Sequence, residues 1–276
     1  MSDPFLHVLI PAYGKSPYLA GTLRSWQSQF GADVQITVVD DASPGTDVAD
    51  IVRDFGFAEY LRNDVNLGVA ANFARCAELS RGTYTVLCGS DDEAEPGYVS
   101  GMRNLAQRFP GATMLMPAVT VMDENGGAVM PLADRVKGWL KPRATVPILL
   151  GGSRLVSSLV AGNWLYFPAI AWRSEALVEF GFRTDQTTVM DLDLELRLLF
   201  AGHALAYTPE RLFRYRRHGS SVSSVEAVAG RRFEEERVVS EFAAREAAAH
   251  DWRIAAALAR LRPTSRLHQL LNWRRV

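Results

Sequence analysis

The 276-residue chain has only two cysteines, Cys76 and Cys88. That is too few for a secreted disulfide scaffold and suits a reducing, cytoplasmic compartment. There is no surplus of charge. Thirty Lys+Arg face 31 Asp+Glu, a formal net charge of -1, so bulk attraction to nucleic acid is excluded. No Gly-x-Gly-x-x-Gly turn follows the first apolar run. Pro11-Ala12-Tyr13-Gly14-Lys15-Ser16 stands there with a single glycine, which removes a dinucleotide-dependent oxidoreductase. Met1-Ser2-Asp3-Pro4 lacks the basic and apolar parts of a signal peptide. Internal repeats and low-complexity linkers are absent too. What remains is 48% hydrophobic and 22% charged, ordinary values for a globular chain long enough to bury its own core.

Long apolar runs are equally scarce. Residues 155–172 are uncharged between Arg154 and Arg173, the threshold length for a membrane span. Ser157, Ser158, Gly162, Asn163 and Pro168 interrupt the run. It reads better as the end of a buried helix, a loop and a strand.

The first half alternates strand and helix signals. Apolar, β-rich runs at 6–10, 34–39, 58–61, 84–87 and 113–121 predict strands. Helical spacing from Ser16-Pro17 onward (Leu19, Leu23, Trp26, Phe30) and over 47–55, 68–80 and 96–109 predicts helices. Such alternation implies right-handed crossovers and a mostly parallel sheet with helices on both faces. Ligands of these sheets sit at the carboxyl ends of the strands. Tyr13-Gly14-Lys15, Asp40-Asp41-Ala42-Ser43 and Ser90-Asp91-Asp92-Glu93 each follow a predicted strand, so they should meet on one rim. Beyond the turn at 123–127 the pattern is less regular, with helices at 174–180 and 191–201 and strands at 204–207 and 212–215. From Val225 the chain is almost all helix formers, a tail expected to pack on the sheet domain.

Chemistry concentrates on the rim. Adjacent carboxylates after a buried strand repel each other and lose hydration, so Asp91 and Asp92 need a cation. Hard divalent ions take carboxylate oxygen and share their remaining positions with phosphates. A carboxylate at Asp40-Asp41 is placed to accept hydrogen bonds from a nucleobase or ribose. Acidic turns are also common on ordinary surfaces, and Asp191 read alone is a favoured helix N-cap. Asp193 is expected to face solvent or cap the first turn.

Five patterns in order carry a resemblance: Val8-Leu9-Ile10-Pro11-Ala12-Tyr13, Val38-Val39-Asp40-Asp41-Ala42-Ser43, Asn66-Leu67-Gly68 through Asn72 to Ser90-Asp91-Asp92-Glu93, Met190-Asp191-Leu192-Asp193-Leu194-Glu195-Leu196-Arg197, and Tyr215-Arg216-Arg217-His218-Gly219-Ser220-Ser221. Together they resemble family 2 glycosyltransferases, over about four-fifths of the chain. The resemblance implies a GT-A fold: α/β, Rossmann-like, with a mixed, mostly parallel sheet flanked by helices and a C-terminal helical extension. It implies a donor-binding half at 1–122, an acceptor-binding and catalytic half at 123–224 and the extension at 225–276. The implied activity is inverting transfer of a sugar from a UDP- or dTDP-sugar to an acceptor hydroxyl, with Mg²⁺ or Mn²⁺, in polysaccharide, cell-envelope or glycoconjugate synthesis. The acceptor is a glycan, a lipid-linked sugar or a small molecule.

By the same resemblance, Pro11, Ala12, Tyr13, Asp41, Asn72, Asp91 and Arg217 bind the donor, with Arg216 a second cation for the diphosphate. Asp92 and His218 hold the metal, and Asp191 is the base. Trp164, Tyr166 and Asp185 face the acceptor. The chain departs from the fuller pattern at Gly89, where many relatives have a first aspartate, and at Met190, where the usual residue is glutamate. A non-catalytic nucleotide-sugar-binding or scaffolding subunit is the alternative reading. Arg253, Arg260, Arg262, Arg266, Arg274 and Arg275, with Trp252, Leu267, Leu270, Leu271 and Trp273, make the C-terminal segment either a peripheral contact with the inner face of the membrane or an amphipathic cap on the fold.

Overall fold

A computed structural model of the chain describes residues 3–31, 33–218 and 231–263. The first half is a wound unit: β1 (Leu6–Ala12), α1 (Leu19–Gln27), β2 (Val34–Asp40), α2 (Asp47–Asp54), β3 (Glu59–Arg62), α3 (Val69–Glu78) and β4 (Tyr84–Leu87). These four strands are parallel, in the order β3-β2-β1-β4, with Ile10 opposite Val38 and Leu9 opposite Leu87. β1 and β2 are buried on nearly every residue because helices cover both faces, which is why they read as continuous apolar runs.

The second half runs β5 (Glu93–Ala94), α4 (Tyr98–Arg108), β6 (Met114–Met122), α5 (Leu132–Leu140), β7 (Ile148–Gly151), α6 (Gly152–Ala161), a 3₁₀ turn at Phe167–Ala169, β8 (Ala171–Arg173), α7 (Ser174–Phe180), α8 (Met190–Phe200) and β9 (Ala204–Arg216). β8 lies antiparallel between β4 and β6, and β6 is parallel to β9, giving a mixed sheet in the order β3-β2-β1-β4-β8-β6-β9-β5 with β7 on β9. Residues 155–172 are the end of α6, a loop and β8, as their composition suggests. No helix of the described residues is long and apolar enough to cross a membrane. The strands expected at 204–207 and 212–215 are one strand. Register shifts opposite Pro117 and Ala118 absorb the turn-like Pro209-Glu210, so the ladder continues through it.

The sheet separates two cores. Leu19, Leu23, Trp26, Tyr98 and Met102 of α1 and α4 fill one face. Trp164, Trp172 and the inner sides of α6 and α8 fill the other. The extension, α9 (Arg231–Ala249) and α10 (Arg253–Leu261), joins that second core through Val239, Ala243, Ala247, Ala255 and Ala259. The tail therefore packs on the sheet domain, alanines allowing close approach. The tail beyond Pro263, with Arg266, Leu267, Leu270, Leu271, Trp273, Arg274 and Arg275, lies outside the described residues, as do Gly219-Ser220-Ser221. Cys76 and Cys88 are free and buried.

Candidate active site

Because β1, β2 and β4 are parallel, the loops after them open on one rim. Tyr13 stands there with 59% of its surface exposed, after half-buried Pro11 and buried Ala12. The Asp41 N–H donates to the Ala12 carbonyl (2.9 Å), and the Gly14 N–H donates to Ser43 Oγ (2.8 Å), so the first two loops are tied together. Ala42 between them adopts a left-handed φ of 55°, which costs an alanine roughly 1–2 kcal/mol. The conformation persists because Asp40 caps the Ser43 N–H at 2.9 Å. Asp40 also accepts from Tyr60 (2.6 Å) and Arg62 (2.5 Å). Burial opposes its ionisation, yet the hydrogen bonds from Ser43, Tyr60 and Arg62 hold its pKa below the ordinary value.

Asp41 is buried and turned toward the loop that enters α3. Its Oδ1 accepts from Asn63 Nδ2 (2.9 Å) and the Leu67 N–H (2.8 Å), and its Oδ2 accepts from the Gly68 N–H (2.9 Å). Two donors fill Oδ1, so one lone pair on Oδ2 is left open. Asn72 belongs to this same knot, accepting from Asn63 at 3.0 Å.

The acidic turn after β4 is compact. Asp92 is 1% exposed and its Oδ1 accepts the Arg216 N–H at 2.8 Å. Burial, then the neighbouring charge of Asp91, pushes its pKa well above the usual carboxylate value. Asp91 Oδ2 lies 2.7 Å from His218 Nε2. A Cβ added at Gly89 would stand 2.7 Å from both Asp91 Oδ1 and Asp92 Oδ2. The two carboxylates thus fold over position 89, and an aspartate there would collide with them. Two converging carboxylate oxygens, one on a buried group whose charge is poorly offset, suit a divalent cation. Among the described residues no three His, Cys, Asp or Glu side chains are grouped to hold a metal.

Arg216 is not a free diphosphate clamp. It is buried and donates to the Asp91 carbonyl (2.8 Å), the Asp123 and Glu124 carbonyls (both 3.2 Å) and Glu93 (2.6 Å). It braces the acidic turn instead. Arg217 is more open, and its Nε lies 2.7 Å from Asp134 of α5 while its terminal nitrogen donates to the same carboxylate at 3.0 Å.

In the second half of the chain, α8 opens with Met190-Asp191. Burial raises the Asp191 pKa, and the Leu192 N–H and the positive charges of Lys137 and Arg232 oppose that rise. Glu195, one turn on and fully buried, is driven well above its usual pKa by burial and by Asp191. Asn163 Nδ2 reaches both carboxylates, at 3.5 Å to Asp191 and 3.1 Å to Glu195. Lys137 of α5 donates to the Leu165 carbonyl (3.1 Å) and stands 4.4 Å over the Tyr166 ring. Tyr166 donates to Asp134 at 2.7 Å. His218 thus touches Asp91, its chain neighbour Arg217 holds Asp134, Asp134 accepts from Tyr166, and the charge of Lys137 above the Tyr166 ring acts on Asp191.

Two expectations need correction. Trp164 is 1% exposed, with its ring N–H donating to Ser158 (3.1 Å), so it is core and cannot touch an acceptor. Asp193 does not face solvent: it is 1% exposed and gripped by Arg197 at 2.7 Å, which also holds the Phe180 and Gly181 carbonyls (both 2.6 Å). Asp185 is exposed on the loop before α8. That loop is pinned by the extension. Glu235 of α9 accepts from the Thr187 N–H (3.1 Å), Thr187 Oγ1 (3.1 Å) and the Thr188 N–H (2.8 Å). Asn163 opens the segment expected to face the acceptor, whereas Glu195, Lys137, Asp134 and Glu235 went unassigned in the sequence. Only Glu195 left a signal there, an acid four residues after Asp191 in a leucine-rich helix.

The chain belongs to a known family: residues 7–166 match the model for Glycosyl transferase family 2. A protein of Mycobacterium tuberculosis (strain CDC 1551 / Oshkosh), uncharacterized protein MT1568, is 30% identical over 247 residues, covering 84% of this chain and 72% of that protein. An uncharacterized glycosyltransferase of Methanocaldococcus jannaschii, MJ1057, is 23% identical over 131 residues, covering 46% of this chain and 45% of that protein. Among solved structures, S. aureus TarS 1–349 in complex with UDP-GlcNAc superposes with a TM-score of 0.65 at 15% identity, over 87% of this chain and 66% of that one. The UDP complex of the same protein gives 0.59 at 14% identity, over 90% and 72%. A further crystal structure of S. aureus TarS 1–349 gives 0.62 at 16% identity, over 87% of this chain and 64% of that one, so the chain spans less than two thirds of that structure. The fold is thus the GT-A arrangement of a glycosyltransferase.

Proposed function

We propose that the protein is an inverting glycosyltransferase, moving a sugar from a UDP- or dTDP-sugar to the hydroxyl of a glycan, lipid-linked or small-molecule acceptor in envelope or glycoconjugate synthesis. The observation that carries this reading is the compact Asp91–Asp92 turn after β4, with His218 on Asp91, together with the buried carboxylate of Asp191 at the start of α8. The TarS complexes with UDP-GlcNAc and UDP support a uridine donor. Pro11, Ala12 and Tyr13 would border the base, with Asn72 and Asp41 shaping its edge through Leu67 and Gly68. Asp91 would meet the ribose.

Asp92, with His218 held on the neighbouring Asp91, would hold Mg²⁺ or Mn²⁺, and such an ion offsets negative charge on a departing nucleoside diphosphate. Arg217, oriented by Asp134, lies where it can add a second positive charge. Asp191 removes the proton from the attacking hydroxyl. Its raised pKa makes it a stronger base than an exposed aspartate, and Lys137 and the Leu192 N–H at the start of α8 oppose that rise. Tyr166 and Asp185 flank the acceptor.

The test is a panel of UDP- and dTDP-sugars, with and without Mn²⁺, read by nucleoside diphosphate release and by the anomeric configuration of the product. Metal-dependent turnover with inverted configuration is expected. Retained configuration, or donor binding without turnover on any acceptor, would contradict the proposal.

A further inference from the structure

We propose that residues 130–149 form a docking face for an anionic lipid surface, with a lipid phosphate seated in the cavity between Lys141, Arg143 and Arg211. Two independent observations meet in this segment. The first is apolar exposure. Of fourteen exposed large hydrophobic side chains among the described residues, five lie here: Met130, Leu132, Trp139, Val146 and Leu149. Trp139 is 78% exposed and Leu132 69%. They sit seven residues apart on α5 with Arg135 between them, spacing that places all three on one side of the helix. Single exposed apolar residues are ordinary, but a concentration with a tryptophan in it marks a contact surface.

The second observation is charge. Between residues 125 and 150 the cations are Arg135, Lys137, Lys141 and Arg143, and the acid is Asp134. Asp134 is buried against Arg217, and Lys137 is turned inward to the Leu165 carbonyl. Arg135, Lys141, Arg143 and, from β9, Arg211 form no ion pair among the described residues. Three of them, Lys141, Arg143 and Arg211, line a cavity of about 390 Å³ that has no acidic residue in its wall. Tyr207 forms part of that wall, with the Lys141 ammonium 4.7 Å from its ring. Burial, and after it the nearby positive charge of Arg211, lower the Lys141 pKa.

Unpaired cations around a concavity, with exposed Trp, Leu and Met in the same segment of chain, match an interface of headgroups and upper acyl chains. The cations meet phosphate, and the aromatic and aliphatic side chains enter the apolar boundary. No described helix spans a bilayer, so the contact is peripheral. A soluble phosphate would satisfy the cavity but leave Trp139 and Leu132 in water. A second copy of the chain would cover the apolar residues but would place this cationic surface against an identical one.

The full chain is to be tested by sedimentation with phosphatidylglycerol-containing vesicles against pure phosphatidylcholine, and by quenching of tryptophan emission with brominated lipid. Wild type is expected to bind the anionic vesicles. Replacing Lys141, Arg143 and Arg211 together with Gln should weaken binding on the order of a hundredfold. Trp139→Phe should remove most of the lipid-quenched emission, a reading that separates this face from any affinity of the basic C-terminal segment and does not rely on the triple variant folding. Unchanged quenching in Trp139→Phe overturns the proposal. So does stabilisation by inorganic phosphate without vesicle binding, or a change from dimer to monomer in Trp139→Glu with vesicle binding intact.

Discussion

Replacing Glu235 with alanine tests whether the C-terminal extension works in the site or merely covers the core. The carboxylate accepts three hydrogen bonds from Thr187 and Thr188, at 2.8 to 3.1 Å, and is 7% exposed. Hydrogen bonds to a charged group are worth about 1.5–3 kcal/mol, and the set is not additive, so Glu235→Ala should destabilise the protein by roughly 2–4 kcal/mol. Thr188 is three residues before Asp191, and a 1 Å displacement of a reacting group costs on the order of a hundredfold in rate. The expected phenotype is a fall in kcat of that size with donor KM unchanged, since Glu235 touches nothing on the donor rim. Glu235→Gln keeps one oxygen for the two backbone N–H groups and should restore most of the rate. Chemical denaturation and steady-state kinetics on the three proteins decide it. If Glu235→Ala loses stability but keeps kcat, the extension does not position the base.

Two further outcomes follow from the buried polar groups. Gly89→Ala places a Cβ 2.7 Å from both Asp91 and Asp92, so metal-supported donor affinity should fall more than tenfold by titration calorimetry; unchanged affinity would separate the turn from the metal. His7 is buried against Thr37 (3.0 Å), and burial together with Arg81 pushes its pKa from 6.5 down to about 4. A depressed histidine contributes stability that is complete above pH 6.5 and disappears as pH falls toward 4. About 3 kcal/mol is at stake in that window. His7→Gln should flatten this slope in acid denaturation, and an unaltered slope would place the sensitivity elsewhere.

The wound half was legible because its strands are buried on both faces and its helices carry apolar stripes. β4 and α7 begin and end where their patterns do. α5 and β7 left no such trace. Leu132, Trp139 and Leu149 are exposed, so neither element has the buried stripe that periodicity detects. The rim followed from topology alone, since parallel strands must present their carboxyl ends together. Individual roles were harder to read. Arg216 and Arg217 are adjacent in sequence, yet one is a buried brace and the other faces Asp134. Trp164 and Tyr166 are two residues apart, yet one is core and the other donates to Asp134. Glu235 could not be found from sequence, because its partners lie 47 and 48 residues away and only the packing of α9 brings them together.

The central claim is that Asp191 is the base for attack on a donor held across the site by the acidic turn. Asp191→Asn preserves the size of the side chain and removes its basicity, so comparing donor binding by calorimetry with transfer rate in one preparation tests the claim most directly. Binding within about twofold of wild type and transfer lowered by about two to four orders of magnitude is the predicted result. Wild-type turnover in Asp191→Asn would contradict it.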